Sequence, residues 1–329
     1  VKEYASTLNI NIEVIDFYMQ RSWATVCNKN EYLNPHKHWQ SNISFAYYLK
    51  KPQTAERLRK EGLRIRLQQG WYESPVKTIS RKATSDIFDV IFVTCKAFDL
   101  EGAMQAIEPM VGSQTAILPI LNGIKHIDIL STYFGQDHIL GGVTQFLVNQ
   151  DKDGSILPTF HGAGGQRTVF GEINGQESER CLTLLKIMKK NMPDTTITAK
   201  IVEELWGKFI GAGASFSVAS LLQARAGRVA ATEIGRRVVE RVYDETMSVC
   251  AAEGYPRPEA MKINFLDNLW IKKGSDYGPS LLADIENFRK TEGEHVVGDL
   301  VKRGQKHNLE IPLLEAALCK IELYENNLK

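Results

Sequence analysis

One apolar heptapeptide, Asp89–Cys95 (DVIFVTC), limits the possible folds of this chain more than any other feature. A continuous apolar run rich in β-branched and aromatic residues is typical of a strand buried on both faces, as in a parallel sheet. A similar run covers Thr115–Ile120, and a helical pattern extends between the two to about Met110. This strand–helix–strand alternation predicts a doubly wound α/β sheet.

The pattern changes near residue 197, which divides the sequence into two predicted domains. Before it, strands are predicted at 10–17, 63–68, 76–79, 89–95, 115–120, 138–148 and 195–198, with helices at 44–51 and 54–63 and one within 172–191. After it, helices are predicted at 199–220, 233–254, 258–273, 280–307 and 313–327. We therefore expect a Rossmann-like dinucleotide-binding domain at 1–197 and an all-α substrate or catalytic domain at 198–329.

Composition excludes several classes of function. The 329 residues carry a formal net charge of only +1, which gives no electrostatic reason for binding nucleic acid or an anionic membrane. No apolar run is expected to reach the roughly 18 residues that a membrane span requires, and the first residues lack a secretory pattern. The five cysteines form no CxxC pair, and the HxH pair of His36 and His38 has no further ligand nearby. A cytoplasmic, metal-free protein with reduced thiols is predicted.

Polar residues directly follow two of the predicted strands. Lys96 comes after the strand at 89–95, and Asn122-Gly123 comes after the strand at 115–120. Ligands of open α/β sheets bind at the carboxyl ends of the strands, so both side chains are candidates for a ligand site. Position alone leaves a second interpretation open, in which Lys96 is a solvated loop residue and Asn122-Gly123 is an ordinary turn.

The stretch Ser280–Asp299 reads as one amphipathic helix, with Ser280 as its N-cap and Phe288 on its apolar face. Ser280 and Glu292 are twelve residues apart, and we expect this spacing to bring them near the same helical face. The hydroxyl and the carboxylate could then line one cleft. A capped surface helix with a solvated glutamate is the alternative.

Lys208 lies on a predicted helix among small and apolar residues. Gly207, Gly211 and Gly213 each weaken a helix by up to about 1 kcal/mol relative to alanine, so their presence suggests that another backbone or a ligand comes close. Desolvation would lower the pKa of a lysine in this setting and suit it to donate a proton near neutral pH. Alternatively, Lys208 extends its ammonium into water.

Read together, these segments resemble the ketopantoate reductase (2-dehydropantoate 2-reductase) family, within the 6-phosphogluconate-dehydrogenase-like superfamily. The resemblance follows family order over roughly residues 44–329. It rests on DVIFVTCKAFDLEGA at 89–103, ILPILNGI at 117–124, ILGGVTQF at 139–146, WGKF at 206–209, SLLADI at 280–285, KTEGEHVVG at 290–298 and HNLEIPLLE at 307–315.

The resemblance implies a role for each candidate residue. Lys208 matches the catalytic lysine that protonates the ketone oxygen, and Glu292 the glutamate that orients lysine and cofactor. Ser280 matches the serine that holds the substrate carboxylate, Asn122 the asparagine near nicotinamide and substrate, and Lys96 a cofactor-side lysine. The implied activity is NADPH-dependent reduction of 2-dehydropantoate, or of a related branched 2-oxo acid, in pantothenate biosynthesis. The implied partner is that small-molecule acid, and the long helices would allow a homodimer.

The chain departs from the family pattern in two places. The family begins with a GxGxxG turn, whereas the first glycine here is Gly62, and the first 43 residues show no resemblance. A replaced N-terminus and a diverged relative that does not bind the cofactor both remain open. The second reading would make the chain a non-catalytic binding or structural module. A different dehydrogenase of the same superfamily, of opine or hydroxyacid type, is a third reading.

The second departure lies in the expected substrate site. Ala212 and Phe216 stand where the family usually has asparagines that bind the substrate. Gly293 replaces an aliphatic residue, and Glu294 stands where aspartate is frequent. A bulkier or more apolar 2-oxo acid is therefore a possible substrate.

Overall fold

A computed structural model of the 329-residue chain describes residues 43–46, 57, 60–67, 70–74, 87–145, 148–150, 155–158, 167–189 and 194–328. The chain divides into two compact units. The sheet unit comprises Val1–Leu121 and His126–Val202, and the helical unit comprises Asn122–Lys125 and Glu203–Lys329. The division thus falls at Val202 instead of residue 197, and the short segment after Leu121 groups with the helical unit.

The sheet unit is built from ten described strands and three helices. The strands are β1 Ile43–Ala46, β2 Leu63–Leu67, β3 Gly70–Ser74, β4 Val90–Val93, β5 Ala116–Pro119, β6 Leu140–Thr144, β7 Val148–Gln150, β8 Ile156–Pro158, β9 Thr168–Glu172 and β10 Thr195–Ile197. The helices are α1 Leu100–Ile107, α2 Lys125–Phe134 and α3 Glu179–Met188.

Three sheets form, and the parallel one carries the core of the unit. Strand β4 lies between β1 and β5 and runs parallel to both. All four residues of β4 and all four of β5 are buried, as a continuous apolar run demands of a central parallel strand. A single parallel bridge from Ile117 to Ile139 links β5 to the chain entering β6. The second sheet has the order β10-β9-β6, and the third the order β3-β2-β8-β7.

The helical unit contains seven described α-helices and two π-helical turns. The helices are α4 Ile201–Leu222, α5 Ala226–Ala230, α6 Glu233–Ala252, α7 Glu259–Phe265, α8 Ser280–Glu286, α9 Asp299–Lys306 and α10 Pro312–Asn326. The π turns cover Leu266–Trp270 and Glu294–Gly298. A Rossmann-like α/β part followed by an all-helical part is the predicted fold class, and it is confirmed.

Two of the helices pack closely where glycine leaves room. A Cβ atom added to Gly213 of α4 would lie 2.3 Å from Leu300 Cδ1 of α9. A Cβ added to Gly304 of α9 would lie 2.4 Å from Ile311 Cδ1. Both distances are far shorter than a real contact, so these positions accept no larger side chain without movement.

The amino end of α10 is capped by a side chain from another helix. Its N-cap residue, Ile311, supplies no side-chain hydrogen bond. Instead, the backbone N–H groups of Leu313 and Leu314 donate to the Glu245 carboxylate of α6 at 2.9–3.1 Å. A carboxylate at a helix amino terminus satisfies the free N–H groups and complements the helix dipole.

Several predicted elements need correction. Ile43–Ala46 forms strand β1, although a helix was expected from residue 44, because the edge of β4 offers main-chain partners that override local propensity. No prediction covers strands β3, β8 and β9, and β7 begins where the strand expected at 138–148 would end. The predicted strands at 10–17 and 76–79 lie outside the described residues.

The predicted helix at 280–307 is broken. Helix α8 ends at Glu286, Phe288 has a left-handed φ of 52°, and the chain becomes helical again only at Gly293. Phe288 is 82% exposed and does not belong to an apolar face. The break is closed by hydrogen bonds from the N–H of Arg289 to the Asp284 carbonyl and from the N–H of Phe288 to the Ile285 carbonyl, the pattern of a left-handed helix end.

Helix α4 has the expected length of 22 residues, shifted by two, and it is more apolar than expected. Among the described residues it alone has the length and composition of a membrane span, contrary to the prediction that no run comes near one. However, 67% of its most apolar 18-residue window is buried inside the protein, which is the situation of a core helix. The segment therefore gives only weak support for a membrane span.

Candidate functional site

Asn122 and Glu292 meet in the helical unit although they are 170 residues apart. The Asn122 Nδ2 group donates a hydrogen bond to Glu292 Oε2 at 3.2 Å. Asn122 follows the buried strand β5, and Gly123 then turns the chain with a φ of +84°. A left-handed turn directly after a strand suits glycine because it has no Cβ. The Asn-Gly pair is therefore a turn and also places a polar side chain on Glu292.

Helix α10 contacts the residues on both sides of Glu292 and so holds it in place. The neighbouring Thr291 donates from its hydroxyl to Glu325 Oε1 at 2.6 Å and from its backbone N–H to the same oxygen at 3.1 Å. On the other side, a Cβ atom added to Gly293 would lie 2.6 Å from Ile321 Cγ2. The glycine that departs from the family pattern is thus required by the close approach of α10, and only 4% of Glu292 is exposed.

Lys208 lies in the second turn of α4, between two anchored aromatic rings. Trp206 and Phe209 are buried and meet edge to face with ring centroids 5.6 Å apart. Trp206 also stacks on Tyr255 at 4.8 Å and carries the Arg303 guanidinium over its ring at 5.2 Å. This packing fixes the helical turn that carries Lys208.

The electrostatic environment of Lys208 favours a proton donor. Part of the side chain is accessible, but its ammonium lies deep among protein atoms, and this burial lowers the pKa of Lys208 to about 8. The Glu292 carboxylate opposes the effect and raises the pKa, which puts the two charges within electrostatic reach of each other. Lys208, Glu292 and Asn122 therefore form one polar cluster in the helical unit.

His295 belongs to the same cluster and was not found from the sequence. A Cβ atom added to Gly123 would meet His295 Cδ2 at 3.0 Å, so the imidazole packs against the turn after Asn122. Burial lowers the pKa of His295, while the Glu292 charge raises it. No sequence pattern marks His295, because the π turn Glu294–Gly298 in which it lies has no local signature. In the structure, that turn is itself a pointer, since π turns are frequent at functional sites.

Ser280 is placed differently from the prediction. It is the first residue of α8, whose N-cap is Pro279, and it makes no capping bond. Among the described residues, its hydroxyl makes no hydrogen bond to Lys208, Glu292 or Asn122. The expectation that Ser280 and Glu292 share one helical face is wrong because the helix ends at Glu286. It also fails for an ideal helix, since twelve residues at about 100° each end roughly 120° from the start.

Lys96 lies in the sheet unit, where the sequence pattern put it. It follows β4 and comes directly before a 3₁₀ turn, Ala97–Asp99, and only 6% of its surface is exposed. Nearby, the hydroxyl oxygen of Thr94 is buried and has no hydrogen-bond partner among the described residues. A buried cation and an unsatisfied hydroxyl at the carboxyl end of a parallel strand fit a polar, anionic ligand.

The three glycines around Lys208 have different surroundings. A Cβ atom at Gly213 would clash with Leu300, whereas one at Gly207 would meet Met261 and Arg257 at 3.7–3.9 Å, which is ordinary contact. A Cβ atom at Gly211 would meet nothing within 4 Å. Helix packing therefore explains Gly213, and open space surrounds position 211.

The fold and this cluster define a class before any relative is considered. A parallel sheet with Lys96 and Asn122 directly after neighbouring strands is typical of open α/β proteins, whose ligands bind at the carboxyl ends of the strands. The family comparison makes the assignment specific. Residues 40–175 match the profile described as ketopantoate reductase PanE/ApbA, and residues 200–325 match its C-terminal profile. The chain belongs to the ketopantoate reductase family of oxidoreductases.

Individual proteins are similar to this chain in sequence or in fold. The chain is 29% identical over 278 residues to the uncharacterized oxidoreductase YkpB of Bacillus subtilis, covering 84% of this chain and 90% of that protein. Its fold is similar to the crystal structure of 2-dehydropantoate 2-reductase from Geobacter metallireducens, with a TM-score of 0.73, 21% identity and coverage of 85% and 91%. It is also similar to D-mandelate dehydrogenase with NADH and anilino(oxo)acetate, with a TM-score of 0.76, 18% identity and coverage of 87% and 92%.

Proposed function

We propose that this protein reduces 2-dehydropantoate, or a related branched 2-oxo acid, to the 2-hydroxy acid with NADPH. The observation that carries the proposal is the cluster of Lys208, Glu292 and Asn122, in which burial lowers the pKa of a lysine to about 8 beside a carboxylate. A lysine with this pKa is largely protonated at neutral pH and still gives up its proton readily.

Each residue of the cluster has a proposed task. The bound nicotinamide would supply the hydride to the carbonyl carbon. Lys208 stabilises the charge that develops on the carbonyl oxygen and donates the proton that completes the hydroxyl group. Glu292 keeps Lys208 charged and, through the hydrogen bond from Asn122, fixes the turn after β5. Ser280 would receive the substrate carboxylate, a role that rests on the family resemblance.

The cofactor would lie at the carboxyl ends of the parallel strands. Lys96, Asn122 and Glu292 are the residues proposed to contact it, and the buried Thr94 hydroxyl offers a further polar group. The choice of NADPH over NADH is also inferred from the resemblance. Since the first glycine is Gly62, a binding module without catalysis stays a second candidate. Fluorescence titration with NADPH separates the reductase from the non-catalytic module. The reductase must bind NADPH, whereas the module is expected not to bind it.

Replacement of the candidate proton donor tests the proposal. With Lys208→Ala we expect NADPH oxidation in the presence of 2-dehydropantoate to fall by at least about 100-fold, because a general acid typically contributes about 10²–10⁴ in rate. The assay follows the absorbance of NADPH, first with 2-dehydropantoate and then with branched 2-oxo acids. Lys320→Ala, which removes an exposed lysine from α10, is the matched control and should keep the wild-type rate.

A further inference from the structure

Gly211 in α4 has no side chain, and the space that a side chain would occupy is open. A Cβ atom added to Gly211 would meet no heavy atom within 4 Å, and two residues later one added to Gly213 would meet Leu300 at 2.3 Å. The glycine at 211 is therefore not needed for packing. It lowers the helix propensity of α4 by up to about 1 kcal/mol relative to alanine without any gain in contacts.

The open space lies beside Lys208. Residues three apart on a helix are neighbours, with about 5–6 Å between their Cβ positions. Helical side chains lean toward the amino terminus, so a side chain at 211 would lean over the turn that carries Lys208. If the carbonyl oxygen of a substrate accepts a proton from Lys208, a substituent on the carbonyl carbon would lie in the open space at position 211.

The next helical turn offers this group no free hydrogen-bonding side chain. Ala212 has none, and Phe216 is buried with 3% exposure. The Ser215 hydroxyl is 2% exposed and already engaged, since it accepts from Trp270 Nε1 at 3.1 Å and lies 3.2 Å from the Tyr277 hydroxyl. On the side formed by α4, an apolar group loses nothing, whereas a hydroxyl group would lose hydrogen bonds to water and gain no partner from this helix.

We propose that Gly211 is a specificity-determining residue that keeps open, beside Lys208, the space for the C2 substituent of the 2-oxo acid. The inference rests on the proposed reductase function. It assigns the substrate class more narrowly, as 2-oxo acids with a branched, apolar substituent that has no hydroxyl group. Ala212 forms the second part of the same small, apolar surface.

Side chains of increasing size at position 211 test whether Gly211 keeps space open for the substrate substituent. Gly211→Ala and Gly211→Leu should lower kcat/KM for 3,3-dimethyl-2-oxobutanoate stepwise, reaching a loss of at least about tenfold with leucine, the usual scale for a misfitted apolar group. The same variants should change kcat/KM for pyruvate, whose substituent is one methyl group, by less than about threefold. Thermal unfolding checks that both variants are folded, and Gly211→Ala should lose no stability because its Cβ atom meets no neighbour within 4 Å.

The matched control is Gly207→Ala, whose new Cβ makes only ordinary contacts at 3.7–3.9 Å. It raises helix propensity as Gly211→Ala does but leaves the space at 211 open, so kcat/KM should stay within about twofold for both acids. Equal losses for both acids in the Gly211 variants, or no loss at all, would overturn the assignment of Gly211.

A pair of substrates tests whether the site prefers a substituent without a hydroxyl group. 2-Dehydropantoate and 3,3-dimethyl-2-oxobutanoate differ by one hydroxyl group, and the wild-type protein should have at least as high a kcat/KM for the acid without it. A preference for 2-dehydropantoate above about tenfold would mean that a polar group meets the hydroxyl, which contradicts the apolar assignment. If the wild-type protein oxidises NADPH with none of the three acids, the proposed function itself fails, and the inference fails with it.

Discussion

Lys208 is the residue on which the proposed chemistry depends, and its environment makes a prediction about pH. Burial lowers its pKa to about 8 from an ordinary value near 10.5. The neutral amine cannot donate a proton, so kcat/KM should be level below about pH 8 and fall about tenfold for each further unit of pH. Initial rates of NADPH oxidation between pH 6 and 10 measure this profile.

The Glu292 charge has a distinct signature in that profile. Because Glu292 raises the pKa of Lys208, Glu292→Gln should move the fall in kcat/KM to lower pH, besides reducing the rate. A Lys208→Arg variant with residual activity should show no fall near pH 8, since a guanidinium stays charged there. A profile that is identical in the wild type and in Glu292→Gln would count against the coupling of these two residues.

The spacing of residues along the sequence does not show which side chains meet in the folded protein. The types of Lys208, Glu292 and Asn122 and their family order are visible in the sequence, and the structure brings these three together. The helical spacing that was expected to link Ser280 with Glu292 had no such basis, because the chain between them is not one helix. The role of Ser280 stays a prediction.

At the scale of elements, α4 holds a matched pair of glycines with opposite expected effects. Gly213→Ala should lower the free energy of unfolding by about 1–3 kcal/mol, because its Cβ would overlap the buried Leu300 of α9. Gly211→Ala should leave it unchanged or raise it by up to about 1 kcal/mol, because only helix propensity changes. Urea unfolding of the two variants at pH 7 gives both numbers.

If the two alanine variants have equal stability, the close packing of α4 on α9 is not what excludes a side chain at 213. The sequence alone does not distinguish the glycines of this helix. All of them weaken a helix, and only the tertiary neighbour distinguishes one that is required for packing from one that faces open space.

Elements with strong local patterns were predicted well. The buried strands β4 and β5 and the helices α4, α6 and α10 lie within a few residues of their expected bounds. The breaks were missed. Phe288 adopts a left-handed conformation that favours glycine, and the π turn after Gly293 has no local signature, so both depend on contacts distant in sequence.

At the scale of the whole molecule, two ionic clusters predict sensitivity to acid, one in each unit. In the helical unit, burial raises the pKa of Glu253, but hydrogen bonds from His307, Lys306 and Arg303 outweigh it and lower the pKa to about 2. In the sheet unit, burial also raises the pKa of Glu172, but Arg180 and Ser178 lower it below its usual 4.5.

A folded-state pKa below the unfolded value stabilises the protein above pH 4.5, and the stabilisation is lost as the pH falls toward 2. At pH 7, Glu253→Gln should therefore lower the free energy of unfolding by up to about 3 kcal/mol, and the difference from the wild type should shrink between pH 4.5 and 2. Urea unfolding across this range measures it. Glu233→Gln, an exposed change in the first turn of α6, should give no comparable pH-dependent difference.

The fold class, the succession of an α/β part and a helical part, and the family resemblance could all be predicted from the sequence alone. Apolar periodicity is a local property, and it identifies the long helices and the buried strands, whereas Ile43–Ala46 becomes a strand through its pairing with β4. Which side chains meet follows from tertiary packing. Asn122 reaches Glu292 across 170 residues, His295 joins them, and Gly211 keeps its open space because of where other helices pass. Such contacts depend on the packing of distant elements, which no local pattern encodes.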